Sequence, residues 1–262
     1  MIKAVFFDID GTLVSFRTHR IPDSAQRALH ALRQKGILVF IATGRPPCNI
    51  TFLKELTDIP FDGYVTLNGQ YCFAHDTLLR DVALPDGVVG CILPYLKREN
   101  IACNFLTLDH DFLNLINDRV RDQAAMLKFE NPEKKLRDEA YTLAQKVYQL
   151  SPFIREDEED AFLRHIFGCK IARWHPDFTD IIPADGGKPK GMDAMLSHFG
   201  LTAADAIAFG DGGNDKDMLI HAAIGVAMGN ADERIKAAAD YVTDTVDADG
   251  IFKAFAHFGI LP

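Results

Sequence analysis

Three short apolar runs, each cut off by polar residues, constrain this chain more than any other feature. IKAVFF (2–7) ends on Asp8, ILVFIA (37–42) ends on Thr43-Gly44-Arg45, and AIAFG (206–210) ends on Asp211. Continuous apolar runs of this length suit strands covered on both faces, as in a parallel sheet with helices on each side. Between the first two, Pro22-Asp23-Ser24 marks a helix start. Ala25, Ala28, Leu29 and Leu32 then recur at the spacing of one buried helix face, and Gly36 ends the helix. A helix around 48–56 and a strand around 63–67 follow. Strands alternating with helices predict an α/β chain, an open parallel sheet with crossover helices.

The rhythm changes at Asn68-Gly69, a hairpin signal between VTL and YCF. From 85 to 182 the pattern is mixed. A helix is expected over 86–98 with Val89, Ile92, Leu93 and Leu96 on one side, then short strands and two more helices. One of these starts near REDEED (155–160), whose charge suits a helix N-terminus better than a metal site. This stretch is expected to be an inserted α+β domain, residues 85–182, in a core built from 1–84 and 183–262. After about 185 the parallel pattern returns. A helix (192–199), a strand (206–211), helical DMLIHAA, a strand in IGVAM, helical ADERIKAAA and a last helix (248–258) are expected.

Composition narrows the partners. Lys and Arg number 28 against 37 Asp and Glu, a net charge of −9, so no nucleic-acid partner is expected. An anionic small molecule remains compatible, because a pocket can be locally positive. The five cysteines are widely spaced without a CxxC pair, which points to reduced thiols. The N-terminus meets a charge early and has no cleavage site of the secretory kind. No apolar run approaches the ~18 residues of a membrane helix. The reading is a soluble, cytoplasmic protein without a membrane partner, a monomer or small homo-oligomer.

In an open parallel sheet, ligands bind beyond the carboxyl ends of the strands. Three strands deliver Asp8 and Asp10, Thr43-Gly44-Arg45, and Asp211 there. Converging carboxylates repel one another unless a cation sits among them, and hard oxygen donors suit Mg²⁺. Asp8 could then be a nucleophile toward phosphorus. Asp10, crowded by another carboxylate, should hold a proton tightly enough to serve as acid and then base. Thr43 offers a hydroxyl and backbone N–H groups to phosphate, and Lys188 in GGKPKG a positive charge, with Lys190 its rival. An Asp-x-Asp pair alone also occurs in ordinary turns, and the spacing of an EF-hand is missing. His19, His75, His175 and His221 are not at metal spacing.

DIDGTL, ATGR, GGKPKG and GDGGND in this order, with VTLNG (65–69) and AIGVAMGNA (223–231), resemble the haloacid dehalogenase superfamily, and within it the Cof-type phosphatases. The resemblance implies a Rossmann-like core with an α/β cap inserted between the second and third motifs. It implies Asp8 as nucleophile, Asp10 as acid/base, and Thr43, Lys188 and Asn214 as phosphoryl-binding residues. It implies Mg²⁺ held by the Asp8 carboxylate, the Asp10 carbonyl and Asp211, with Asp215 acting through waters. Dehalogenases of the superfamily lack the second aspartate, so Asp10 favours phosphate chemistry. Pro189-Lys190 departs from the Lys-Gly of many relatives. Arg45, Asn68, Arg173 and Trp174 are candidates for sugar contacts. The expectation is a Mg²⁺-dependent phosphatase of small phosphorylated metabolites, sugar (hexose) phosphates above all. A phosphomutase and a non-catalytic sugar-phosphate-binding protein are the alternatives.

Overall fold

The computed structural model describes residues 1–127 and 131–261. Strand β1 (Ala4–Phe7) has no exposed side chain, and its alternate residues serve two separate cores. Val5 and Phe7 enter one, Ala4 and Phe6 the other. That is why the run is apolar throughout: the pleat sends successive side chains to opposite faces, and both faces are covered.

Around it, in chain order, lie α1 (Asp23–Gln34), β2 (Leu38–Ala42), α2 (Leu53–Leu56), β3 (Gly63–Thr66), β4 (Tyr71–Ala74) and β5 (Thr77–Asp81). A second compact unit, Val82–Asp185, then interrupts the first, which resumes from Gly186. The second unit contains α3 (Val88–Arg98), β6 (Cys103–Leu106), β7 (Asp111–Leu113), α4 (Asp118–Leu127), α5 (Glu139–Leu143), β8 (Gln149–Pro152), α6 (Glu159–Leu163), β9 (Cys169–Ala172) and β10 (Asp180–Pro183). The first unit is completed by α7 (Lys188–His198), β11 (Ala206–Gly210), α8 (Lys216–His221), β12 (Ile224–Ala227), α9 (Glu233–Lys236), β13 (Tyr241–Val242) and α10 (Gly250–His257).

The first unit's sheet runs β13-β12-β11-β1-β2-β3-β4-β5. It is parallel from β13 to β3, and β4 and β5 add an antiparallel edge. β2 and β11 repeat the division seen in β1: Val39, Ile41, Ile207 and Phe209 face one core, Phe40, Ala42, Ala206 and Ala208 the other. Phe7 stacks on Phe209 at 5.1 Å and Phe6 on Phe40 at 4.8 Å, ring pairs worth about 0.5–1.5 kcal/mol each beyond their burial. Helices α1 and α10 cover the first face, α7 and α8 the second.

The second unit is an antiparallel sheet, β7-β6-β8-β10-β9, whose Phe105, Phe112, Leu150 and Ile181 pack with Ile92 and Leu96 of α3 and Phe162 of α6. Among the described residues no helix is long and apolar enough to cross a membrane.

Several elements depart from their expected bounds. The segment 48–56 is not one helix but a 3₁₀ turn, Pro47–Asn49, and the short α2; the Ile50 and Leu53 N–H groups go to the carbonyls three residues back, of Pro47 and Ile50, not four. α7 starts at Lys188, four residues before the apolar periodicity predicts. Pro189 fits the first turn, where its missing N–H has no intrahelical partner. Among the described residues the second unit holds three helices after α3 rather than two. The acidic run 155–160 spans a 3₁₀ turn and the start of α6. There Glu158 accepts from the Arg155 N–H and pairs with Arg119, and Glu159 pairs with Arg173.

Candidate active site

The carboxyl ends of β1 and β11 and the first turn of α7 converge. Lys188, the first residue of α7, donates from Nζ to Asp8 Oδ1 at 2.7 Å and to Asp215 Oδ1 at 2.5 Å. Its side chain is fully buried between the two carboxylates, whereas Lys190 is exposed. Asp215 closes a 3₁₀ turn, Gly213–Asp215, and its Oδ2 accepts the N–H groups of Asp211 and Gly212 at 3.0 and 2.9 Å. A side chain at Gly210 would run into Asp215, so the close approach of that carboxylate to β11 needs a glycine.

Carboxylate oxygens of Asp8, Asp211 and Asp215 lie within 4.8 Å of one another. Three carboxylates against one ammonium leave an excess of negative charge in a place largely closed to water. Burial, with Asp215 adding to it, pushes the Asp8 carboxyl well above the usual range, against the pull of Lys188. Burial and Asp215 push Asp211 up to about 7. Burial opposes the charge on Lys188, but Asp215 and Asp8 outweigh it and hold its proton more tightly than usual. Protons relieve such a cluster at low pH; a divalent cation relieves it at neutral pH. The donor set is all oxygen with no sulfur or imidazole, which fits a hard cation such as Mg²⁺.

Sequence reasoning assigned no role to three residues that orient Asp211. Thr12, fully buried, donates from Oγ1 to Asp211 Oδ1 at 2.6 Å. Asn230 donates to Asp211 Oδ2 at 3.0 Å and to the Gly11 carbonyl at 2.9 Å, while its own Oδ1 accepts from the Val246 N–H. Gly11 turns the loop after β1 at φ +85°, and a Cβ there would collide with Asp211 Oδ2. The signal was in view: DIDGTL holds Gly11 and Thr12, and AIGVAMGNA holds Asn230.

The other expected site residues of the first unit have partners within it. Asp10 lies near enough to Asp8 and Asp211 to repel both, but its direct contact is a cation. Arg45 supplies its counter-charge through Nε to Oδ2 at 2.7 Å and Nη2 to Oδ1 at 2.8 Å. Arg45 is thereby an ion-pair partner in the first unit, with its guanidinium 5.0 Å over the Phe52 ring. The Thr43 N–H is taken by the Val65 carbonyl, and its Oγ1 accepts the Arg45 N–H, so its hydroxyl proton is what it has to offer a ligand. Gly44 sits in the turn between them. Asn68 is buried at φ +53° and accepts from Asn214 Nδ2 at 2.9 Å, which orients the Asn214 amide.

Arg173 lies in the second unit, where Nε meets Glu159 and the Nη groups meet the carbonyls of Ile154, His175, Pro176 and Phe178. It staples that loop together. Trp174 beside it is 40% exposed and meets the Phe178 ring edge at 4.7 Å.

The haloacid dehalogenase-like hydrolases match this chain over residues 5–255. The chain belongs to this family. A sugar phosphatase of haloacid dehalogenase subclass IIB is 44% identical, covering 99% of this chain and all of the other, with a TM-score of 0.91. A phosphatase of the same superfamily from Bacteroides thetaiotaomicron is 34% identical over 100% of this chain and 96% of its own, also at TM-score 0.91. The HMP-PP phosphatase of Yersinia enterocolitica is 28% identical over 243 residues, 90% of this chain and 87% of that protein. As a member of this haloacid dehalogenase-like family, the chain is a phosphoric monoester hydrolase acting on small phosphorylated compounds.

Proposed function

We propose that this hydrolase is a Mg²⁺-dependent phosphatase of sugar phosphates, hexose phosphates in particular, working through an aspartyl-phosphate on Asp8. One observation carries the reading: Asp8 meets Asp211 and Asp215, some two hundred positions further along the chain, with a buried lysine between Asp8 and Asp215. Mg²⁺ would be held by Asp8, the Asp10 carbonyl and Asp211, backed by Asp215, and when bound it would neutralise charge on the phosphoryl oxygens.

Lys188 holds Asp8 Oδ1, which leaves Oδ2 to attack phosphorus. The Lys188 ammonium, the Thr43 hydroxyl and Asn214 bind the oxygens of the group being transferred. Asp10 gives its proton to the leaving oxygen as the ester bond breaks. It then takes a proton from the water that attacks the aspartyl-phosphate and frees Asp8. Phosphoryl transfer asks mostly for positioning and charge stabilisation, and the hydrogen bonds around Asp8 and Asp211 supply the positioning.

The support for sugar phosphates is the likeness to the subclass IIB sugar phosphatase over nearly the whole chain. The test is release of inorganic phosphate from a panel of sugar, nucleotide and cofactor phosphates. Asp8→Asn is expected to abolish release while the protein stays folded by circular dichroism. Chelation is expected to stop turnover and added Mg²⁺ to restore it. Turnover retained by Asp8→Asn, or indifference to chelator, refutes the corresponding part. Isomerised sugar phosphate without free phosphate would instead show a mutase.

A further inference from the structure

On the first unit, beside Asp10, a cleft of about 200 Å³ is lined by Phe16, His19, Arg45 and Phe52 together with Asp10 itself. Its wall is a fixed turn. Ser15 N–H donates to the Arg20 carbonyl at 3.0 Å, and Ser15 Oγ accepts the N–H groups of Arg17 and Thr18 and donates to Asp247 Oδ1 at 2.8 Å. His19 is held at φ +54°, a backbone conformation that side-chain-bearing residues rarely adopt without such restraint. The turn presents Phe16 with 56% of its surface exposed, at the wall of this cleft. The ring is also anchored: a Cβ on Gly11 would lie 2.7 Å from Phe16 Cε2, so the ring edge rests on the loop that carries Asp10 and meets Asp211.

The chemistry of the step locates what the cleft is for. The acid that protonates the leaving oxygen must touch it. Asp10 lines the cleft, so the group attached to that oxygen begins there. The cleft is smaller than the pockets that enclose drug-sized ligands. Its lining offers the Phe16 ring, the His19 imidazole and the Arg45 guanidinium, the last lying over the Phe52 ring. A saturated ring with hydroxyls fits that combination: its C–H face lies against the aromatic ring, and its hydroxyls meet His19 and Arg45. We propose that this cleft seats the leaving group, with Phe16 as the platform for the apolar face of a sugar ring. The placement of the leaving oxygen rests on the phosphatase reading above.

The test is titration calorimetry on the full-length Asp8→Asn protein with Mg²⁺, with and without Phe16→Ala. Phe16→Ala is expected to weaken glucose 6-phosphate binding about tenfold and to leave inorganic phosphate within about twofold, with Phe16→Tyr restoring the sugar phosphate. Equal weakening of both ligands would make Phe16 a mere support for Gly11 and Asp211 and overturn the proposal. So would no weakening of either, or a larger effect on adenosine 5′-monophosphate than on the sugar phosphate. Phosphate release by the unsubstituted enzyme is a separate readout. Its absence would sink the phosphatase reading and leave the calorimetric comparison to decide the cleft.

Discussion

Both oxygens of Asp10 accept N–H bonds from one guanidinium, so the proposed acid/base is held by opposite charge although Asp8 and Asp211 repel it. Its turn to act therefore requires the Arg45 pair to loosen. At the same scale, Gly11 shows how one missing Cβ permits the site. Gly11→Ala would strain a left-handed backbone, by about 1–2 kcal/mol, and drive a methyl into Asp211 Oδ2. We expect a lower melting temperature and at least about a tenfold higher Mg²⁺ requirement, since orienting partners of metal ligands commonly contribute that much. Melting curves and a Mg²⁺ titration of phosphate release check this. An unchanged Mg²⁺ requirement would detach Gly11 from the metal site. Of the residues around Asp211, Thr12 and Asn230 were visible in quoted motifs, but their hydrogen bonds join positions 199 and 19 residues apart, which no local pattern displays.

Helix α7 is the element on which the charge balance turns, because its first residue brings a buried ammonium to two carboxylates. Apolar periodicity places the helix at 192 because its first turn, Lys-Pro-Lys-Gly, has no apolar residue to register. Lys188→Met would leave Asp8 and Asp215 buried without their cation. Breaking a buried pair in this way costs about 3–5 kcal/mol. The loss in the chelated protein is expected to be larger at pH 8 than at pH 5, since protonation spares uncompensated carboxylates. Urea unfolding at the two pH values measures it. A Lys188→Met variant as stable as its parent at pH 8 would contradict the assignment of the ammonium. Strands read from continuous apolar runs fell within a residue or two of the observed β1, β2 and β11. The short helices did not read as clearly, because α2 and α9 have four residues each and too few turns to show a period.

For the whole molecule, the raised carboxyls tie stability to metal and pH. Asp8 and Asp211 hold protons more tightly folded than unfolded. Their stabilising contribution is thus complete below the ordinary carboxyl value of 3.8 and is lost as pH rises, for Asp211 through about 7. A metal-free protein should weaken across that window, and Mg²⁺ should offset the loss by about 2.7 kcal/mol at a hundredfold excess over its dissociation constant. The rise in melting temperature on adding Mg²⁺ to chelated protein should be larger at pH 8 than at pH 5. Taking that difference removes acids elsewhere that shift the opposite way, such as Glu158 beside Arg119. An equal rise at both pH values would sever the link. Local pattern alone was enough to establish the α/β sheet, its order of strands and helices near the site, and the acidic strand tips, because burial on both faces and turn chemistry are written in neighbouring residues. Which charges meet was decided only by the packed chain. Lys188 reaches Asp8 across 180 positions and Arg45 reaches Asp10 across 35, and such pairings depend on distances across a sheet edge that adjacent residues do not encode.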